Sequence, residues 1–125
     1  MSKTILVVED DQTIRELYTE ILESEGYLVI SAENGREAMK LIGSTPGFFP
    51  SLILTDLMMP VMDGLQFVQE LKRDESWESV PVMMVSAAQE RPKSQVGFEF
   101  IKKPLDLDSM VDRVKHHCTR GGSVA

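Results

Sequence analysis

Short apolar runs that stop at charged or hydroxyl residues alternate along the chain with helical stripes. Thr4-Ile5-Leu6-Val7-Val8 is unbroken and rich in β-branched residues, and it ends at Glu9-Asp10-Asp11. A strand with one wet face would alternate apolar and polar residues, so an uninterrupted run marks a strand covered on both faces. From Gln12 to Glu25, Ile14, Leu17, Tyr18, Ile21 and Leu22 fall on one stripe of an amphipathic helix. Asp11 is placed to cap it and Gly26 to end it. The pattern then recurs. Tyr27 to Ser31 reads as a strand, and Asn34 caps a helix through Ile42 that Gly43 ends. After the turn-rich stretch Ser44 to Pro50 comes the strand Ser51 to Thr55, with Asp56 at its end. A loop containing Pro60 leads to a helix from Gly64 to Asp74, and Val80 to Ser86 is a fourth strand. Phe98 to Ile101 is a short fifth one. Asp106 caps a last helix with the stripe Leu107, Met110, Val111, Val114 and Cys118.

Strands alternating with helices predict an α/β fold, a parallel sheet wound by right-handed crossovers with helices on both faces. In such sheets the site lies at the C-terminal strand ends. Glu9-Asp10-Asp11, Asp56, Ser86 and Lys102-Lys103-Pro104 follow four of the strands, so these groups are expected at one edge. Clustered carboxylates resist joint ionisation and are costly without a cation. Hard oxygen ligands with room for water suit Mg²⁺. A Lys beside them can neutralise phosphoryl oxygens, a Ser hydroxyl can donate to one, and the assembly suits in-line phosphoryl transfer to a carboxylate.

Composition narrows the classes. The 125 residues fit one domain, expected over 1–119 with a flexible tail at 120–125. Thirteen Lys and Arg against twenty Asp and Glu leave a net charge of −7, which argues against direct nucleic-acid binding. The single cysteine, Cys118, excludes a disulfide framework. No apolar run approaches the ~18 residues of a membrane span, and Met1-Ser2-Lys3-Thr4-Ile5 is no signal peptide, so a cytoplasmic protein is expected. His116-His117-Cys118 looks like a metal cluster only superficially, because adjacent helix residues point ~100° apart.

The run Ile5 to Asp11, the segment Asp56-Leu57-Met58-Met59-Pro60-Val61-Met62-Asp63-Gly64, then Val85-Ser86-Ala87, then Phe100-Ile101-Lys102-Lys103-Pro104-Leu105 together resemble the receiver domains of bacterial two-component response regulators. The resemblance covers Lys3 to about Cys118. It implies a flavodoxin-like (CheY-like), doubly wound sheet of five parallel strands in the order 2-1-3-4-5. It implies that Asp56 is the phosphoacceptor, and that Asp10, Asp56 and the backbone carbonyl of Met58 ligate Mg²⁺, with Glu9 acting mainly through water. Ser86 would hydrogen-bond the phosphoryl group, Lys103 would pair with its oxygens, and Pro104 would follow a cis peptide. Ser86 and Phe100 match the family's switch residues. The implied partners are a histidine kinase or histidine phosphotransfer protein and a downstream protein target, with the chain a stand-alone receiver, a monomer or weak dimer. On this reading it is no enzyme beyond its own phosphorylation and dephosphorylation. Two alternatives stay open: a small Mg²⁺-dependent aspartyl-phosphate phosphohydrolase, and a constitutive interaction module that is never phosphorylated.

One segment departs from the family. Only ten residues, Ala87 to Val96, separate the fourth strand from the approach to the fifth, and Pro92 lies among them. A crossover with its helix needs at least ~10–12 residues, and Pro breaks a helix interior. The family's fourth helix is therefore expected to be shortened or missing.

Overall fold

The computed structural model describes residues 3–123. Its elements run β1 (Thr4–Val8), α1 (Gln12–Ser24), β2 (Leu28–Ala32), α2 (Gly35–Gly43), β3 (Leu52–Asp56), α3 (Gly64–Leu71), a 3₁₀ turn (Glu75–Trp77), β4 (Val82–Ser86), β5 (Glu99–Lys102) and α4 (Leu107–Ser123). The five strands form one parallel sheet in the order β2-β1-β3-β4-β5. Period-2 alternation sends neighbouring residues to opposite faces. Ile5, Val7, Leu52, Leu54, Met83 and Val85 pack under α1 and α4 against Tyr18, Leu22, Met110, Val114 and Cys118. Leu6, Val8, Ile53, Val82 and Met84 pack on the other side against Ala38, Phe67, Val68, Leu71 and Trp77. Both faces are dry, which is why β1, β3 and β4 read as continuous apolar runs.

The caps fall where their side chains direct. Asp11 accepts from the Ile14 amide at 3.1 Å, Asn34 from Glu37 at 3.0 Å and Asp63 from Gln66 at 2.8 Å. Asp106 accepts from the Ser109 amide at 3.3 Å at the start of α4. α3 ends at Leu71, three residues before the expected Asp74, because Asp74 instead caps the 3₁₀ turn through the Ser76 amide at 3.0 Å. Lys72 then ties that turn down by donating to the carbonyls of Trp77, Glu78 and Val80. α4 continues to Ser123, beyond the expected boundary at Arg120. The rest of the expected tail, 124–125, lies outside the described residues.

No helix joins β4 to β5. Residues 87–98 are an irregular crossover on the α2–α3 side, with Ala88, Val96 and Phe98 half-buried against that core. Polar ties replace helical hydrogen bonds. Lys102 Nζ donates to Gln89 Oε1 at 2.8 Å, and Arg91 donates to the Phe98 carbonyl at 2.9 Å with its guanidinium 4.2 Å from the Phe98 ring centroid.

The loop from β3 to α3 carries one strained residue. Met62 donates to the Pro60 carbonyl at 2.8 Å, closing a three-residue turn around Val61 at φ 70°. A β-branched residue is an outlier at positive φ, at a cost of about 1–3 kcal/mol. Val61 is 68% exposed, so its side chain recovers little by packing. Val61→Asn is therefore expected to stabilise the fold by about 1 kcal/mol, read as a higher urea midpoint. A lower midpoint would show that the valyl contacts outweigh the backbone cost.

Candidate functional site

Strand register assembles the site. Val8 pairs with Thr55, Asp56 with Val85 and Ser86 with Lys102. The residues that follow each pairing therefore emerge side by side at the C-terminal edge: Glu9 and Asp10 after β1, Asp56 at the end of β3, Ser86 at the end of β4 and Lys103 after β5.

Oxygens of Glu9, Asp10 and Asp56 lie within 4.8 Å of one another. Glu9 and Asp56 are buried, whereas Asp10 is exposed. Lys103 Nζ donates to Asp56 Oδ2 at 3.1 Å and stands 4.0 Å from Glu9 Oε1. The other oxygen of Asp56 accepts from the Met58 amide at 3.2 Å, so the carboxylate is held at both ends. Glu9 Oε2 accepts from the Asp11 amide at 3.0 Å. Ser86 is fully buried, and its hydroxyl oxygen accepts from the Ala88 amide at 3.0 Å, which leaves the hydroxyl proton free to donate. The peptide before Pro104 is cis. Phe100 is half-buried against the α2–α3 core, three residues before Lys103. His117 lies elsewhere, its Nε2 2.6 Å from Glu99 Oε1, and among the described residues no metal-type cluster includes a histidine or Cys118.

Electrostatics follow from this packing. Burial, the Asp56 charge and the hydrogen-bonded Asp10 together push the Glu9 carboxyl up to about 7, against the opposing Asp11 amide and Lys103. Burial works against the Lys103 charge too, but Asp56 and Glu9 outweigh it and hold the ammonium above its usual range. Three carboxylates facing one ammonium make an all-oxygen site with surplus negative charge. Such a donor set fits a hard divalent cation such as Mg²⁺ and offers no soft ligand.

The raised Glu9 value has a stability consequence. Its unfolded value is near 4.5 and its folded value about 7. Between these, the folded chain keeps a proton that the unfolded chain has released. Glu9's contribution is therefore fully present below pH 4.5 and lost as pH rises through 7. Glu9→Gln keeps an acceptor for the Asp11 amide and does not titrate. In metal-free buffer the variant is expected to match the parent near about pH 4 and to exceed it near about pH 8 by on the order of 2 kcal/mol. Urea midpoints across that range test this, and a gap independent of pH would refute it.

Two further residues shape the site: Gly64, the last residue of the Asp56–Gly64 segment, and Arg15, which belongs to no motif. Gly64 brings the start of α3 against the end of β3, its amide donating to Leu57 O at 2.8 Å. Arg15 of α1 donates to the Glu9 carbonyl at 2.7 Å. A side-chain contact to main-chain carbonyls leaves no motif, and only the i, i+6 spacing from Glu9 hints at Arg15.

Comparison with known proteins points the same way. The family model described as the response regulator receiver domain matches residues 5–115. The phosphate regulon transcriptional regulatory protein PhoB of Pseudomonas aeruginosa is 35% identical over 127 residues, covering 98% of this chain and 54% of PhoB. The chain thus spans about half the length of the PhoB relatives it matches. The polar-differentiation response regulator DivK of Brucella ovis is 31% identical, covering 94% of this chain and 97% of DivK. The response regulator TrrA of Thermotoga maritima, crystallised in complex with Mg²⁺-BeF, superposes with a TM-score of 0.78 at 30% identity, covering 92% of this chain and 98% of TrrA.

Proposed function

The chain belongs to the response regulator receiver domain family, and on that premise we propose that it takes a phosphoryl group onto Asp56 from a histidine kinase or histidine phosphotransfer protein, in a Mg²⁺-dependent step, and passes the change to a protein target. The observation that carries this is the convergence on one buried carboxylate, Asp56, of the Lys103 ammonium at 3.1 Å and the Glu9-Asp10 pair.

In the proposed step an Asp56 oxygen attacks the phosphorus of a phosphohistidine. The new O–P bond forms as the P–N bond breaks in line, and the leaving imidazole keeps the electron pair and is protonated from solvent. The Met58 amide and Lys103 hold the Asp56 carboxylate in one orientation before attack, so little reorganisation remains to be done. Lys103 then transfers its contact from Asp56 to the phosphoryl oxygens, and the Ser86 hydroxyl turns its free proton toward one of them. Glu9, Asp10, Asp56 and the Met58 carbonyl would hold Mg²⁺, which when bound offsets the negative charge of the phosphoryl oxygens. On this reading the chemistry is confined to the chain's own acceptor and no free substrate is turned over.

An acyl phosphate adds about −1.5 to −2 of charge at one point, by analogy with other phosphorylated side chains. Ser86 and Ala88 are linked by a hydrogen bond, so movement of Ser86 toward the phosphate pulls on the start of the 87–98 crossover. Phe100, half-buried beside that segment, would follow. The surface read by a partner is therefore this irregular crossover with β5, in place of a helix face. Phosphotransfer profiling against a panel of histidine kinases with Mg²⁺ tests the assignment. Rapid labelling by one kinase is expected, and no uptake from any kinase or from acetyl phosphate would overturn it.

A further inference from the structure

Arg15 has no part in the phosphoacceptor chemistry above, yet it is half-buried beside the site. Its Nη1 donates to the Glu9 carbonyl at 2.7 Å and lies 3.5 Å from the Asp10 carbonyl. It shares one hollow of the surface with Glu33 and Glu37 and another with Glu16, Glu20 and Glu23. Among the described residues, none of them pairs with Arg15 within 4.0 Å. The guanidinium is directed instead at two consecutive main-chain carbonyls. Those carbonyls belong to the peptide planes on either side of Asp10.

We propose that Arg15 is a positioning residue for the cation-binding pair: by holding the carbonyls of Glu9 and Asp10 it sets the direction in which their carboxylates leave the chain. Asp10 needs this most. It is exposed, so apart from its side-chain hydrogen bond to Glu9 little holds its carboxylate, and its aim depends on its own backbone. The Glu9 amide is anchored to the Ala32 carbonyl at 3.0 Å, so β1 fixes one end of the segment and Arg15 the other. The inference rests on the reading of Glu9, Asp10 and Asp56 as a Mg²⁺ site.

Two roles for Arg15 predict opposite signs. If it acts only as a nearby positive charge, removing it leaves the site more negative and Mg²⁺ binds more tightly. If it positions the ligands, removing it lets the Glu9–Asp10 backbone wander and Mg²⁺ binds more weakly. Residues that orient metal ligands without touching the metal typically contribute 10–100-fold in affinity or activity. The test is titration of the full chain with Mg²⁺ alone by calorimetry, with circular dichroism as the check on folding. Arg15→Met is expected to weaken Mg²⁺ by about tenfold while the helical signal persists. Arg15→Lys keeps the charge but not the planar fork, and is expected to fall between Arg15→Met and the parent. Unchanged or tighter binding by Arg15→Met overturns the proposal. Should Arg15→Met fail to fold, Arg15→Lys decides alone, and parental affinity in that variant overturns it. Labelling of the parent by acetyl phosphate separates the two levels. A parent that labels and binds Mg²⁺ beside an indifferent Arg15→Met sinks only the Arg15 assignment, whereas a parent that does neither sinks the receiver reading and this inference with it.

Discussion

Asp56→Asn is expected to reduce labelling by acetyl phosphate in the presence of Mg²⁺ to background. Asparagine keeps the shape of the side chain and an oxygen for the Met58 amide, so the hydrogen bond at 3.2 Å survives. It loses the anionic oxygen that forms the bond to phosphorus, and an amide oxygen is too weak a nucleophile to replace it. The variant should still fold. Asp56 shares its site with Glu9 and Asp10 inside 4.8 Å, so neutralising one member relieves repulsion among three. The opposing loss is the Lys103 ion pair at 3.1 Å, but Lys103 keeps Glu9 at 4.0 Å. Removing the Asp56 charge also takes away one of the influences that raise the Glu9 carboxyl, so that group moves back toward its ordinary range. The measurement is incorporation of labelled phosphate into parent and variant at matched folded fraction. Undiminished labelling would place the acceptor elsewhere and remove the basis of the proposed function.

The residues differ in how far their positions could be read in advance. The β1 run Thr4–Val8 and the caps at Asp11 and Asn34 were legible because each depends on local chemistry, an apolar run or a short polar side chain before a helix. Boundaries slipped where another element claimed the backbone. Tyr27 belongs by its apolar character to the second strand, but its amide is taken by the Leu22 carbonyl in the turn that ends α1, so pairing with β1 begins at Leu28. The missing helix between β4 and β5 was legible as a shortage of residues, because chain length limits what a crossover can hold. The strand ends Glu9, Asp10, Asp56, Ser86 and Lys103 were legible as a set because a parallel sheet brings its C-terminal ends together. Arg15 and Val61 were not. One binds main-chain carbonyls and the other is bent by a turn closed between its neighbours, and neither depends on a residue pattern that sequence displays.

Among the glycines whose surroundings are described, Gly64→Ala is expected to destabilise the fold most, because of what the added methyl would meet. A Cβ at Gly64 would lie 2.1 Å from the Asp56 carbonyl oxygen, 3.0 Å from its carbon and 3.1 Å from the Leu57 Cα. All three are backbone atoms of β3 and the residue after it, so no side chain can swing away. Leu57 is itself held by its amide to the Val85 carbonyl at 2.9 Å and by its carbonyl to the Gly64 amide at 2.8 Å. Relief therefore requires α3 to retreat from β3, which would open the packing of Phe67, Val68 and Leu71, all nearly inaccessible to solvent. Overpacking of this kind commonly costs about 1–3 kcal/mol, and loss of the buried contacts on α3 adds to it, so a total of about 3–5 kcal/mol is expected. Gly26→Ala is the contrast. Gly26 sits at φ 95° with nothing within 4 Å of the added methyl, so only the backbone penalty of roughly 1 kcal/mol applies. Urea unfolding of the two variants separates collision from conformational strain. Gly64→Ala should also displace the Asp56 backbone in whatever fraction still folds, and so reduce the rate of labelling by acetyl phosphate, while Gly26→Ala leaves that rate unchanged. Equal, small losses of stability in the two variants would show that α3 can shift without cost, and that the close approach of Gly64 does not hold Asp56 in place.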